Sequence, residues 1–290
     1  MNLESDLKKE IVRIFQSHGI RYTEKPSLDT ALVDYLTYDR KYIAIKKRKF
    51  ILSKEVKSKF NRHPKAVDFI FFLEDVQNGV DLNPYQSDTL KQLRFHDLLL
   101  YNWKIHHFHL SNELDLKNGY FKKRSDHLIF ALVTSEVIYL LDFEQHKEGI
   151  FGDEKWLTII DTNWPWLLEK YKRKDIKTVY PQTTPSERQT LWTKGYSLFM
   201  TEANGSVFIN PGLGNTTSGH SMEVIGEVNE IHRWLHRVNE WFKDNKQSLF
   251  IELSQKHNMP IDAINIKARI SVQGIEVFDS ASGEVIASYV

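Results

Sequence analysis

Residues 127–143 read HLIFALVTSEVIYLLDF: two apolar runs, His127 to Thr134 and Glu136 to Phe143, on either side of a tight turn near Thr134-Ser135. Short apolar runs bounded by a turn signal have the length of strands rather than helices. The stretch therefore reads as a hairpin. Upstream, Lys104-Ile105-His106-His107-Phe108-His109-Leu110 reads as another strand. A central antiparallel sheet is expected, and the rest of the chain is arranged around it.

On the N-terminal side the pattern is helical. Leu7, Ile11, Ile14 and Phe15 recur at helical spacing and Gly19 closes the run; a second helix starts near Ser27 with Leu28, Leu32, Tyr35 and Leu36 inward. Tyr42 to Leu52 alternates apolar and basic residues and predicts one or two short basic strands. Val67 to Val76 forms a helix ending at Asn78-Gly79, and Ser87 caps another through Leu90, Leu93 and Leu98 to Tyr101. On the C-terminal side, Trp156 to Trp166 is helical up to an interruption at Pro165, and Pro181 to Pro185 reads as a linker. Beyond it come a hairpin around Ala203-Asn204-Gly205, a Gly-rich loop and the longest helix, carrying Val224, Val228, Ile231, Leu235, Val238 and Phe242. Three closing strands, Ile264 to Val272, Ile275 to Asp279 and Glu284 to Tyr289, follow. The class is α+β: a helical N-terminal region, a central antiparallel sheet, and a C-terminal α+β unit with a small closing β-sheet. Two domains are expected, 1–180 and 186–290.

The 290 residues are 41% hydrophobic, 27% charged and 12% aromatic, which suits a globular protein with a large core. The chain has no cysteine, which excludes disulfides, thiolate metal sites and cysteine nucleophiles. The polar start Met1-Asn2-Leu3-Glu4-Ser5-Asp6 is no signal peptide, and apolar runs such as Leu128 to Val133 are too short to span a bilayer. A cytoplasmic protein without membrane association is expected. The net charge of +1 hides an asymmetry: Arg40 to Lys65 holds eleven Lys or Arg against one acid, Glu55, so this segment carries +10 and the remainder −9. Such segregation points to an anionic partner.

Three stretches carry candidate chemistry. Six of the twelve histidines fall between His96 and His146. Imidazole changes charge near neutral pH and is the commonest metal ligand. On a strand His107 and His109 share one face, and His106 and Phe108 the other. One of these histidines could serve as a general acid or base. Alternatively, His107-x-His109 offers two ligands to a metal, with Asp97, Glu113, Asp126 and His127 the nearest candidates for a third; a half-buried edge strand is the bland alternative. The basic segment, with Arg40, Lys46, Lys47, Arg48, Lys49, Lys54 and Lys57, could neutralise phosphates, while Tyr38, Tyr42 and Phe50 could stack on bases. A solvated cationic face is the alternative there. The Gly-rich loop, through Gly212, Gly214, Thr217, Ser218 and His220, could cradle an anion with its amides and hydroxyls. It lacks the G-K-[ST] of a phosphate-binding P-loop, and an ordinary loop with Ser221 as a helix cap is the simpler reading.

The central region, about residues 103–147, resembles the RelE-type bacterial toxins, small metal-independent ribonucleases. The matching elements are Trp103-Lys104-Ile105, Arg124 to Ala131, and Val137 to Phe143 followed by His146 and Lys147. The resemblance implies a sheet face whose basic residues orient and protonate the scissile phosphate of messenger RNA, with Arg124, His146 and Lys147 in that position. Where that family usually carries a strand arginine, this chain has His106-His107, and it is about three times as long.

The combined expectation is a bacterial toxin or phage-defence protein acting on RNA without a cofactor. RNA or another nucleic acid would bind the segment 40–65, and His107, His109, Arg124, His146 and Lys147 would be catalytic. An antitoxin or operon partner is a further expected contact. The alternatives are a metal-dependent nuclease or hydrolase built on His107 and His109, and a non-enzymatic adaptor that binds nucleic acid or protein.

Overall fold

The computed structural model describes residues 1–117 and 119–290. In chain order the elements are α1 (Leu3–Ser17), α2 (Leu28–Lys41), β1 (Lys49–Leu52), α3 (Lys54–Lys59), α4 (Ala66–Asn78), α5 (Leu98–Trp103), β2 (Ile105–His109), β3 (His127–Val133), β4 (Val137–Gln145), α6 (Lys155–Asn163), β5 (Lys172–Arg173), α7 (Pro185–Thr193), β6 (Met200–Ala203), β7 (Ser206–Ile209), α8 (Met222–His257), β8 (Ile266–Ser271), β9 (Gly274–Asp279) and β10 (Val285–Tyr289). The class is α+β, with a helical N-terminus and a small C-terminal antiparallel sheet. No helix among the described residues is long and apolar enough to cross a membrane.

The chain divides into two compact units, residues 37–223 and residues 1–36 with 224–290. The stretch Pro181 to Pro185, read above as a linker, lies inside the larger unit. Contacts on either side tie it in. β5 pairs with β7 across it, and the buried Arg188 of α7 donates back to Glu154 at 2.7 Å and to the Thr183 carbonyl at 3.2 Å.

The larger unit is built on a four-stranded sheet of order β1-β4-β3-β2. β2, β3 and β4 form the expected antiparallel set, and β1 joins β4 in parallel, Lys49 opposite Val137 through Leu52 opposite Leu140. Only four residues of the basic alternation become strand. Before them, Ile43 exchanges both backbone hydrogen bonds with the Asn83 side chain rather than with a neighbouring strand. One sheet face carries Phe108, Ile129 and Leu140 against Val56 of α3 and Phe69, Phe72 and Val76 of α4. The other carries Ile105, Phe130 and Leu141 against Trp103 of α5, Trp156 of α6 and Trp192 of α7. Each such aromatic removes roughly 150–250 Å² from water, so two layers clamp the sheet. The single helix expected from Ser87 to Tyr101 is broken. Residues 88–91 form only a 3-10 turn: the Thr89 and Gln92 carbonyls accept from the Gln92 and Phe95 amides at 3.1 and 3.0 Å, and also from the buried Lys41 ammonium at 3.3 and 3.0 Å. Helix resumes at α5, where the Asp97 side chain caps the Leu100 N–H at 3.0 Å.

In the smaller unit, α1 buries Leu3, Leu7, Ile11 and Phe15, and its Asp6 accepts from the Ala268 N–H of β8 at 3.3 Å. The sheet β10-β9-β8 is antiparallel throughout. α8 runs 36 residues with its apolar positions at helical spacing.

Candidate functional site

The geometry begins where α5 ends. Lys104 takes a left-handed conformation (φ 59°) and its N–H bonds back to Leu100 at 2.9 Å. The Gly-rich loop completes the cap: the Gly212 N–H donates to Asn102 and the Gly214 N–H to Tyr101, both at 2.9 Å. A Cβ on Gly212 would sit 2.3 Å from the Tyr101 carbonyl oxygen, so only glycine permits this approach. The two glycine amides are thus committed to a helix end, in keeping with the simpler reading of an ordinary loop and not with the anion cradle. Thr217 and Ser218 are exposed, Ser218 bonding to Thr216 at 2.8 Å, and the His220 ring lies 5.3 Å from that of His96.

The chain then enters β2, and alternation separates its histidines. His107 and His109 project to one face, their ring centroids 6.1 Å apart. His146, just past the end of β4, brings its ring to 5.4 Å from that of His109. Phe151 closes the cluster at 5.0 Å from His107 and 5.9 Å from His146. His109 Nδ1 lies 2.7 Å from the Ser125 carbonyl. A carbonyl only accepts, so Nδ1 carries the hydrogen and Nε2 the lone pair. Among the described residues that Nε2 has no hydrogen-bond partner, nor do His107 Nδ1 and His146 Nε2. Burial pushes His107 down to about 4, with His146 and Arg124 adding to the effect. Burial likewise holds His109 at about 4 against the opposing Ser125 bond. His146 is lowered by burial and Arg124, partly offset by Asp126. At neutral pH the cluster is three neutral imidazoles beside one exposed guanidinium.

Four of the five expected catalytic residues, His107, His109, His146 and Arg124, are therefore brought together. Lys147 is drawn aside into an ion pair with Glu144 at 3.1 Å, a carboxylate that Lys155 also engages. Among the described residues no group of three or more histidine or carboxylate side chains is arranged to hold a metal ion.

The basic segment divides. Arg48 is only 7% exposed. Its guanidinium donates to the Thr134 carbonyl at 3.0 Å and the Ala44 carbonyl at 2.8 Å, so it is a core strut rather than a phosphate contact. Lys46 pairs with Glu136 at 2.7 Å, Lys59 with the buried Asp142 at 2.6 Å, and Lys65 with Asp68 at 3.1 Å. Lys47, Lys49, Lys54 and Lys57 are exposed. They lie on or next to β1, at the opposite edge of the sheet from β2. Three strand spacings, about 14 Å, separate those edges.

The opposite face of β2 holds a constellation the sequence reading did not assemble. His106, Tyr101 and Lys104 line a cleft of about 410 Å³ with Arg40, Leu100, Val133, Ser221 and Glu223. Behind it sits Asp97, raised by burial and restrained by the Leu100 amide and by the charges of His106 and Lys41. Burial lowers His106 to about 4, against the pull of Asp97 and with His107 and Arg48 adding to it. Lys41 is lowered by burial to about 8. Tyr101 is raised by burial and Asp97, against the opposing effect of the neighbouring Thr37 hydroxyl. The strand period separates His106 from His107 in the sequence, but nothing in the spacing reveals that Arg40, Asp97 and Glu223 converge on it.

No protein-family model matches this chain, and neither a curated protein nor a solved structure shows significant similarity to it.

Proposed function

We propose that the larger unit is a metal-independent endoribonuclease of bacterial toxin or phage-defence type, acting on RNA in the cytoplasm. The observation that carries this reading is the group of three imidazoles beside Arg124, each with a buried ring nitrogen that has no partner among the described residues. Buried polar atoms are nearly always satisfied, so three together favour an external hydrogen-bond partner. A neutral imidazole accepts the proton of a ribose 2′-hydroxyl. The 2′-oxygen bonds to phosphorus, the bond from phosphorus to the 5′-oxygen breaks, and that oxygen takes up a proton. A 2′,3′-cyclic phosphate and a 5′-hydroxyl result. Arg124 offsets the extra charge on the phosphorane oxygens. Lys147, paired with Glu144, has no part in this scheme. The exposed Lys47, Lys49, Lys54 and Lys57 are suited to the phosphate backbone, and a strand held there would have to cross the sheet to reach the imidazoles. An antitoxin or operon partner fits the same reading.

The test is incubation of the full chain with free and ribosome-bound RNA in EDTA, with the new 3′ ends analysed. Cyclic phosphate ends that disappear in His109→Ala and Arg124→Gln support the reading. RNA that is bound but never cut would leave the adaptor role, and cleavage that requires added metal would return the alternative built on His107 and His109.

A further inference from the structure

The cleft on the His106 face is separate from the imidazole cluster, since the strand itself lies between them. We infer that this cleft binds a nucleoside phosphate. Its volume, about 410 Å³, falls within the roughly 300–1,000 Å³ of small-ligand sites. Three features narrow the chemistry. Leu100, Val133 and Tyr101 line it and give it an apolar wall for a planar base. Arg40, 4.0 Å from Asp39, brings a guanidinium to it, which matches phosphate geometry in a way few other side chains do, and Lys104 adds an ammonium paired with Glu223. Glu223 supplies a carboxylate, held by Lys104 at 2.7 Å, that can accept from the exocyclic amine of a base. A purely anionic ligand would not call for that carboxylate, and a purely apolar one would not call for the cations.

The floor is poised for a polar guest. Tyr101 is 2% exposed, and among the described residues its buried hydroxyl and that of the neighbouring Thr37 have no partner beyond each other. His106 is 7% exposed and has the Asp97 charge nearby, so an arriving phosphate would meet an imidazole that a carboxylate already inclines toward protonation. The same chemistry could come from a free mononucleotide or from the terminal nucleotide of an RNA strand.

Isothermal titration of the full chain with AMP, GMP, CMP and UMP, with adenosine, with inorganic phosphate, and with a 5′-phosphorylated tetranucleotide tests the inference. At least one mononucleotide should bind more than tenfold tighter than both adenosine and phosphate. Arg40→Gln should weaken it about tenfold or more, and Glu223→Gln should change the preference among bases. His109→Ala should leave the binding unchanged, which keeps this result independent of RNA cleavage. A tetranucleotide binding more than tenfold tighter than every mononucleotide would identify the source as an RNA end; comparable binding would identify a free nucleotide. Circular dichroism and thermal melting establish that each variant is folded, and Lys104→Gln provides a second probe should Arg40→Gln unfold. Binding of phosphate as tight as that of any nucleotide, no binding by wild-type protein at millimolar ligand, or binding indifferent to every folded cleft variant would overturn it.

Discussion

His106 and His107 are adjacent on β2, yet they sit in opposite electrostatic surroundings. Burial lowers both to about 4. On the His106 face the strongest neighbouring charge is the Asp97 carboxylate, which works against burial. On the His107 face the neighbours are His146 and Arg124, which work with it. The difference shows that burial sets the resting state of an imidazole while its neighbour sets how readily it can change. One face holds its imidazoles neutral at rest, the state from which a base accepts a proton; the other is held next to a countercharge that would stabilise the imidazolium when a ligand supplies the rest.

The broadest test of the shared feature is stability against pH. His106, His107 and His109 have folded values near 4 and unfolded values near 6.5. Between those limits the unfolded chain binds more protons, so stability is fully present above about pH 6.5 and is lost as pH falls toward 4. Each histidine contributes up to about 1.4 kcal/mol per pH unit in that window. Asp97, raised by burial, acts in the opposite sense. Urea titrations at pH 7.0, 6.0 and 5.0 should show a falling midpoint at constant slope. A midpoint that holds or rises would mean that the imidazoles are not buried neutral on either face.

Arg48 is the next largest effect. Its guanidinium approaches His106 from the loop before β1 and ties that loop to the β3–β4 turn through Thr134. Arg48→Met should destabilise by about 2–4 kcal/mol, since it removes a charged donor and leaves two carbonyls unsatisfied. Chemical denaturation measures this, and a loss below about 0.5 kcal/mol would place Arg48 among the surface cations after all.

The comparison of faces can be sharpened by a pair of charge deletions read through histidine titration in NMR. Asp97→Asn should lower His106 by up to about one unit and leave His107 and His109 in place. Asn caps a helix about as well as Asp, so α5 should survive the change. Arg124→Gln should raise His107, His109 and His146 and leave His106 alone. Movement of all four histidines in either variant would dissolve the distinction between the faces.

The smallest effect concerns the cations that do face solvent. Lys47→Gln with Lys49→Gln should alter stability by under about 0.5 kcal/mol. If these side chains neutralise a nucleic-acid backbone, the slope of log affinity against log salt should shrink by roughly 0.7 to 0.9 for each phosphate left without its cation. Anisotropy with single-stranded RNA across a salt series reads this out, and an unchanged slope would make them a solvated edge.

Much of the fold was legible because it depends on local periodicity. The hairpin at residues 127–143, the long α8, the Gly79 helix end and the closing strands all follow from patterns within one element. Legibility ended where one segment supplies hydrogen bonds to another. Asn83 stands in for a strand beside Ile43, the Lys41 ammonium bonds to the carbonyls of the 3-10 turns at Thr89 and Gln92, and Gly212 and Gly214 cap α5. In the candidate site, alternation along β2 is enough to assign His107 and His109 to one face. It could not show that His146 closes on them, that Lys147 is diverted to Glu144, or that the +10 segment hides Arg48 in the core.

By itself the sequence determined most of the secondary structure, the α+β class and the division of the β2 histidines between two faces, because side-chain direction follows from the strand period alone. The tertiary structure decided everything that depends on distance across the chain. It placed three imidazoles without a carboxylate ligand set on one face and a carboxylate-backed cleft on the other, and it determined which cations face water. The physical reason is that desolvation and charge act through space. An imidazole is a base, a ligand or a core residue according to what is packed around it, and in this chain those neighbours come from segments as far apart as Arg40 and Glu223.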